Sequence, residues 1–405
     1  MISRRQILKT AGSAALGAAG GMAFSGMAAR AAETAVLPFA NGERPLVQYP
    51  GKRPLICQTA RPPQLETPFS VFNEGIITPN DAFFVRYHLA NIPLDIDPAA
   101  YRIEVKGVVE KVLSLSLDEL KAMHDPVEIV AVHQCSGNSR GFFEPRMGGG
   151  QSGNGAMGNA RWKGVPLKAV LDKAGVKSGA THVSFNGLDE PALPETPDFV
   201  KALEIDHARD GEVMIAFAMN GEDLPWLNGF PVRLVVPGWY GTYWVKHLTE
   251  ITVLDKPLDS FWMKTAYRIP DNDCNCTEPG KPADTTVPIN RFKVRSFITS
   301  VTDGGKVDAD APLKLRGIAF DGGSGIKEVS VSSDGGKTWQ PTTLSEDLGK
   351  YSFREWTATV KIAKGEHELK VRATANDGTT QPEEQPWNPS GYMRNVIETT
   401  KVVAA

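Results

Sequence analysis

Hydrophobic and polar positions follow several different periods along this chain, and the changes of period divide it. Residues 127–132 form a β-branched run that predicts a buried strand. Residues 81–89 alternate, with Phe84, Arg86 and His88 on one face of a predicted strand and Phe83, Val85 and Tyr87 on the other. Ser116-Leu117-Asp118-Glu119 has the form of a capping box and opens a helix through about Met123. Leu167, Val170, Leu171 and Ala174 make an i, i+3, i+4, i+7 stripe closed by Gly175, a second short helix. Short strands and helices then alternate irregularly to about Leu254, and no Gly-x-Gly-x-x-Gly follows a strand. The pattern argues against a dinucleotide fold and predicts an α+β domain with a mixed sheet over residues 76–257.

Two flanking stretches lack a period. Residues 32–75 are Pro-rich and read as an extended arm lying over the domain; residues 258–287 are rich in Pro, Asp, Asn and Cys and read as a crossing linker. From 288 to 405 the character changes again. Strand runs at 313–320, 326–332, 356–362 and 367–375 are punctuated by Asp-Gly at 303–304, 321–322, 334–335 and 377–378, the pattern of an immunoglobulin-like β-sandwich. Such a domain supplies an interface, and no chemistry concentrates in its first half.

Composition narrows the partners. The chain has 405 residues, 41% hydrophobic and 22% charged, with a formal net charge of −3, and no basic stripe that would suit nucleic acid. Four Cys are too few for a disulfide scaffold. At the N-terminus, Arg4-Arg5 precede an Ala/Gly-rich, weakly apolar segment ending in Ala29-Arg30-Ala31. This predicts a twin-arginine export signal over 1–31, and with it a folded, periplasmic protein with no membrane anchor after processing. The other reading, a transmembrane anchor, fits a segment dominated by Gly and Ala less well.

The chemistry gathers after the 127–132 strand. His133-Gln134-Cys135-Ser136-Gly137-Asn138-Ser139-Arg140 is followed by about twenty Gly-rich residues and then Trp162. Glycine at this density costs backbone entropy, so the loop implies a close approach of backbone to a ligand. A thiol at a strand end beside Arg140 is placed to be held as thiolate; a buried, inert Cys is the alternative. Arg86 and His88 can reach an anion from their shared face, or line a solvated edge. Export to an oxidising compartment suggests a disulfide from Cys57 to Cys274 or Cys276, because a Cys274–Cys276 ring is very short. Three free thiols, or a metal site needing further ligands, are the alternatives.

Taken together, the block around Cys135, Phe83-Phe84-Val85-Arg86-Tyr87-His88, Asn228-Gly229-Phe230-Pro231-Val232-Arg233 and the closing sandwich resemble the sulfite oxidase family of molybdenum-cofactor enzymes, in family order over nearly the whole mature chain. The resemblance, strongest to bacterial periplasmic sulfite dehydrogenases, implies molybdenum held by molybdopterin, with Cys135 as the protein's thiolate ligand. It implies that Arg86, Arg140 and Tyr267 form the sulfite pocket, and that Trp162 lies near the substrate channel. His88, Asp189, Asn228, Arg233 and Lys246 fall where the family contacts the pterin and its phosphate; Asn228 stands where animal members carry His. It further implies a homodimer built on the sandwich. With no Cys-x-x-Cys-His for a haem, electrons are expected to pass to a separate c-type cytochrome. A sulfane dehydrogenase of a thiosulfate-oxidising system, a methionine sulfoxide reductase, and a non-enzymatic oxyanion-binding protein are the competing readings.

Overall fold

Six sheets, rather than helices, build the described residues around two large hydrophobic cores and one small one. The computed structural model describes residues 33–405; the expected export signal at 1–31 lies outside them. The α+β expectation holds in a strand-rich form, with four short α-helices among the described residues.

The half that precedes the sandwich contains two principal sheets. In one, Leu248–Leu254 sits between His182–Gly187, antiparallel to it, and Ile103–Gly107, parallel to it, which makes the sheet mixed. In the other, Val127–Gln134 pairs along its whole length with Met157–Pro166, which in turn pairs with Met214–Met219. The predicted helices stand on these sheets. Leu117–Ala122 starts at Ser116, whose side chain and that of Glu119 make the reciprocal capping bonds. Leu167–Ala174 buries all four residues of its stripe and stops at Gly175, in the left-handed region at φ 71°.

The N-terminal stretch is not an extended arm. Thr34–Val36, Glu43–Val47, Leu55–Thr59 and Gln64–Glu66 form an antiparallel sheet that ends on Val85–Arg86. Its strands are three to five residues long, too short to show alternation between the prolines, and turns at Asn41-Gly42 and Pro50-Gly51 separate the first three. The predicted strand at 81–89 is likewise shorter, pairing only at Val85–Arg86. Side chains take the place of a sheet neighbour here: Lys52 Nζ donates to the Phe83 carbonyl (3.0 Å) and Asn228 Nδ2 to the Phe84 carbonyl (3.0 Å). The expected division of faces survives. Val85 and Tyr87 pack with Leu55, Cys57 and Leu65 in a small separate core, while Phe84, Arg86 and His88 face a cavity.

The sandwich stacks a four-stranded sheet, Arg295–Ile298, Pro312–Phe320, Arg354–Lys361 and Thr343–Leu344, on a five-stranded one containing Ile326–Ser332, Gly365–Ala375 and Glu398–Ala404. Trp356 lies fully buried between them with Val331, Leu369 and Val371. The stretch expected as a linker is folded: a short helix, Phe261–Lys264, leads into Arg268–Pro270, which pairs with Thr286–Pro288.

The cysteine pairing differs from expectation. Cys274 and Cys276 are bonded to each other, and Cys57 is a buried free thiol. Two facts explain this. Asn275 takes a left-handed conformation (φ 52°) and brings the flanking Cα atoms to 5.1 Å, while Cys57 points into the Leu55–Tyr87 cluster. Peptide mapping of unreduced, denatured protein is therefore expected to find two alkylatable thiols, Cys57 and Cys135. A peptide linking Cys57 to either partner would refute this arrangement.

Candidate active site

Cys135 is carried to the middle of the molecule by the full-length pairing of Val127–Gln134 with Met157–Pro166. The chain then turns sharply. Cys135 N–H donates to the Ala156 carbonyl (2.9 Å), the Asn138 N–H donates back to the Cys135 carbonyl (3.0 Å), and Ser139 adopts φ 69°. A side chain at Gly137 would put its Cβ 2.7 Å from the Arg140 guanidinium, so the arginine would have to shift to admit one. The turn is braced from the second domain: Arg295, fully buried, donates to Ser139 Oγ (3.0 Å) and pairs with Glu398 (2.8 Å). On the other side Glu66 accepts the N–H groups of Gly153 (3.0 Å) and Gly155 (2.9 Å), pinning the Gly-rich loop to the N-terminal sheet.

Two cavities meet at this turn, and Arg86, Cys135 and Tyr267 line both. The inner one spans about 580 Å³, counting space open to solvent, and contains His88, His133, Asp189, Asn228, Arg233 and Lys246. The outer vestibule, about 1060 Å³, is bounded by Arg140, Gly148–Gly150, Trp262 and Tyr392. Of the predicted site residues, all but Trp162 thus border one cavity or both. Trp162 does not reach the vestibule; it is fully buried, donates Nε1–H to the Ala131 carbonyl (3.0 Å), and lies beneath the Arg233 guanidinium at 5.2 Å. Its alternation in Met157–Pro166 turns it to the core side of the sheet.

Burial sets the electrostatics of the inner cavity. Arg233 donates to the carbonyls of Asn228 (2.9 Å) and Trp244 (3.0 Å), and burial draws its pKa down to about 9. Lys246 is pulled well below the usual lysine range by burial, and Asp189 is pushed up to about 6 by the same cause. His88 is held neutral by burial and neighbouring cations, hydrogen-bonds through Nε2 to the Tyr267 hydroxyl, and stacks on Phe199 at 3.7 Å. Burial raises the Tyr267 pKa, so its hydroxyl keeps its proton. Asn228 is occupied on both sides of its amide: Nδ2 bonds the Phe84 carbonyl and Oδ1 accepts from Lys52 (2.5 Å).

Four contributors were not foreseen. His133 could have been, because alternation along its strand places it on the same face as Cys135. Lys52 and Lys201 carry no motif, yet both are buried cations with pKa values drawn down to about 7 by desolvation; Lys201 bonds the Trp262 carbonyl (2.6 Å) beside Tyr267. Tyr392 comes from the second domain, far away in sequence, and left no local signal.

Several buried polar atoms of the inner cavity have no partner among the described residues: His133 Nδ1, Ser136 Oγ, Arg233 Nε and Thr242 Oγ1. Buried polar groups in folded proteins are almost always satisfied. With a cationic majority of Arg86, Arg233 and Lys246 against one carboxylate, the donor set suits an anionic, polar heterocycle bearing phosphate, and Cys135 offers a soft ligand for its metal.

Comparison with known proteins agrees. Residues 88–262 match the oxidoreductase molybdopterin binding domain, and residues 286–404 the Mo-co oxidoreductase dimerisation domain. The chain is 33% identical to the mitochondrial sulfite oxidase of Homo sapiens over 90% of its own length and 68% of that protein's, and 33% identical to the sulfite oxidase of Gallus gallus over 90% and 80%. The chain belongs to the sulfite oxidase family. The chain is also 30% identical to the NAD(P)H nitrate reductase of Hordeum vulgare, covering 86% of this chain and 41% of that one. Among solved structures, the sulfane dehydrogenase SoxCD of Paracoccus pantotrophus superposes with a TM-score of 0.70 at 27% identity, covering 84% of each chain. As a sulfite oxidase family member, the protein is an oxidoreductase that uses molybdenum bound to molybdopterin. Arg233, Lys246, Asp189 and His133 line the inner cavity and would be the side chains to hold the pterin, with Cys135 the residue that would hold the metal.

The inner cavity has no spare room at Gly241, where a Cβ would lie 2.5 Å from His133 Nε2. Gly241→Val is expected to leave a folded protein with strongly reduced molybdenum content. Elemental analysis of purified protein checks this, and wild-type metal content would show that the pterin lies elsewhere.

Proposed function

We propose that this protein is a periplasmic sulfite dehydrogenase, converting sulfite and water to sulfate with release of two electrons and two protons, and that a separate c-type cytochrome accepts the electrons. The observation that carries the reading is the arrangement of two arginines, Arg86 and Arg140, around a vestibule whose floor is Cys135 and Tyr267. Family membership and the shared domains support it; the Arg4-Arg5 segment supports export.

When bound, molybdenum-molybdopterin supplies oxygen-atom transfer and stores the two electrons until they leave singly. The chain's own residues do the rest. Cys135 would hold the metal through its sulfur. Arg86 and Arg140 hold the dianionic substrate with charge-assisted hydrogen bonds, which are stronger and shorter than neutral ones. Arg86 is oriented by its bond to the Tyr87 carbonyl, and Arg140 by bonds to the carbonyls of Ser390 (3.0 Å) and Gly150 (3.2 Å). The Tyr267 hydroxyl is held by its hydrogen bond with neutral His88 and borders the cavity, where it can hydrogen-bond to water or product.

Steady-state assay with sulfite and oxidised cytochrome c tests the activity; purified, molybdenum-loaded protein without turnover would overturn it. Arg86→Gln and Arg140→Gln should each raise the sulfite KM by more than about tenfold, since losing one partner of a desolvated charge pair costs roughly 2–5 kcal/mol. Two variants with wild-type KM would move the anion site elsewhere. A second reading, oxidation of sulfane sulfur, is favoured by the superposition on a sulfane dehydrogenase and by a vestibule larger than an inorganic ion needs. Turnover of a sulfane substrate in place of sulfite would select it.

The sandwich is the proposed dimer interface, in keeping with its match to a dimerisation domain. Sedimentation at micromolar concentration should give a dimer, and a monomer would refute it.

A further inference from the structure

The anion-binding arginines do not belong to one domain's framework. Arg140 is carried by the catalytic half, but its guanidinium is set by the closing segment of the chain. Its Nε donates to the Ser390 carbonyl (3.0 Å), and its guanidinium carbon lies 5.1 Å from the centre of the Tyr392 ring. The same ring stacks on Tyr267 with centroids 5.4 Å apart and planes 6° from parallel. One side chain of the sandwich domain therefore touches both an anion-binding cation and the tyrosine on the cavity floor.

The segment is shaped to hold that ring in place. Asn388, buried, clasps the turn with both ends of its amide, accepting from the Tyr392 N–H (3.1 Å) and donating to the Tyr392 carbonyl (2.8 Å). Gly391 is left-handed at φ 61°, and a Cβ there would sit 2.8 Å from Arg140 Cγ, so the turn closes directly on the arginine. Trp387 fastens the other end by donating Nε1–H to the Pro145 carbonyl (2.8 Å). Among the described residues no hydrogen bond orients the far Nη2 of Arg140; the ring and the two carbonyls fix the plane of the guanidinium at the vestibule.

The geometry points to Tyr392 as a positioning residue that sets the affinity and orientation of the bound oxyanion, through its aromatic face rather than its hydroxyl. A guanidinium packed on an aromatic face loses freedom before the anion arrives, so less order has to be imposed on binding. The ring also stacks on Tyr267, so the cation and the floor of the pocket share one support. This deepens the sulfite reading but rests only on the presence of an oxyanion site.

The test is direct binding of sulfate to the molybdenum-loaded protein by titration calorimetry, which needs no turnover. Tyr392→Phe keeps the face and should bind sulfate within about twofold of wild type; Tyr392→Leu keeps much of the bulk without the face and should bind about tenfold more weakly, the scale of a partly desolvated cation–π contact. Molybdenum content and Tm of both variants should match wild type. If sulfite is turned over, Tyr392→Leu should raise KM by the same factor with little change in kcat. Equal binding by all three proteins overturns the inference, as does a Phe variant as weak as the Leu variant, or a Leu variant that loses metal and thermal stability together. Wild-type protein that binds sulfate but does not oxidise sulfite would refute the proposed activity while leaving this inference standing.

Discussion

Buried positive charge without matching negative charge governs this molecule. Around the inner cavity Arg233 and Lys246 face inward with Arg86, and Lys52 and Lys201 lie just behind; Asp189 is the one carboxylate lining it. Desolvating an ion costs several kcal/mol, and an unpaired one is strongly destabilising. The lowered pKa values of Lys52, Lys201, Arg233 and Lys246 all express that cost. A chain that keeps so many cations out of water is organised to be completed by an anion, and the cofactor is therefore part of the folded state's free energy.

Holding those cations in place requires hydrogen-bond acceptors, and carbonyl groups supply most of them. Lys52 is fixed by the carbonyls of Asn80 and Phe83 together with the Asn228 amide, Lys201 by that of Trp262, and Arg233 by those of Asn228 and Trp244. Carbonyls orient a cation without cancelling its charge, so the field inside the cavity is preserved. The same device recurs in the vestibule, where Arg140 is held by the carbonyls of Ser390 and Gly150.

How far the sequence could be read follows from the range of each signal. Strand Val127–Gln134, both capped helices and the sandwich were legible because their periods are local and long enough to repeat. The N-terminal sheet was not, because three-residue strands between prolines cannot show alternation. Cys135, Arg86 and Arg140 stood in recognisable motifs. Trp162 was assigned to the channel by resemblance, but its strand turns it to the core. The Cys274–Cys276 bond went unforeseen because it depends on one left-handed Asn, a backbone state with no pattern around it. Tyr392 and Lys52 act through contacts that join distant segments, which no window of sequence contains.

The distribution of the site across the chain has a consequence for what counts as its functional unit. The segment matching the molybdopterin-binding family spans residues 88–262. Arg86 and Lys52 precede it, Tyr267 follows it, and Arg140 inside it is oriented by Ser390 and Tyr392. A fragment excised at those bounds would carry Cys135, Arg233 and Lys246 of the inner cavity but only one of the two vestibule arginines, with neither Ser390 nor Tyr392 to aim it. The boundaries along which such chains are compared are therefore not the boundaries along which the pocket could be transplanted. Any graft onto another scaffold has to bring the first sheet and the closing turn with it.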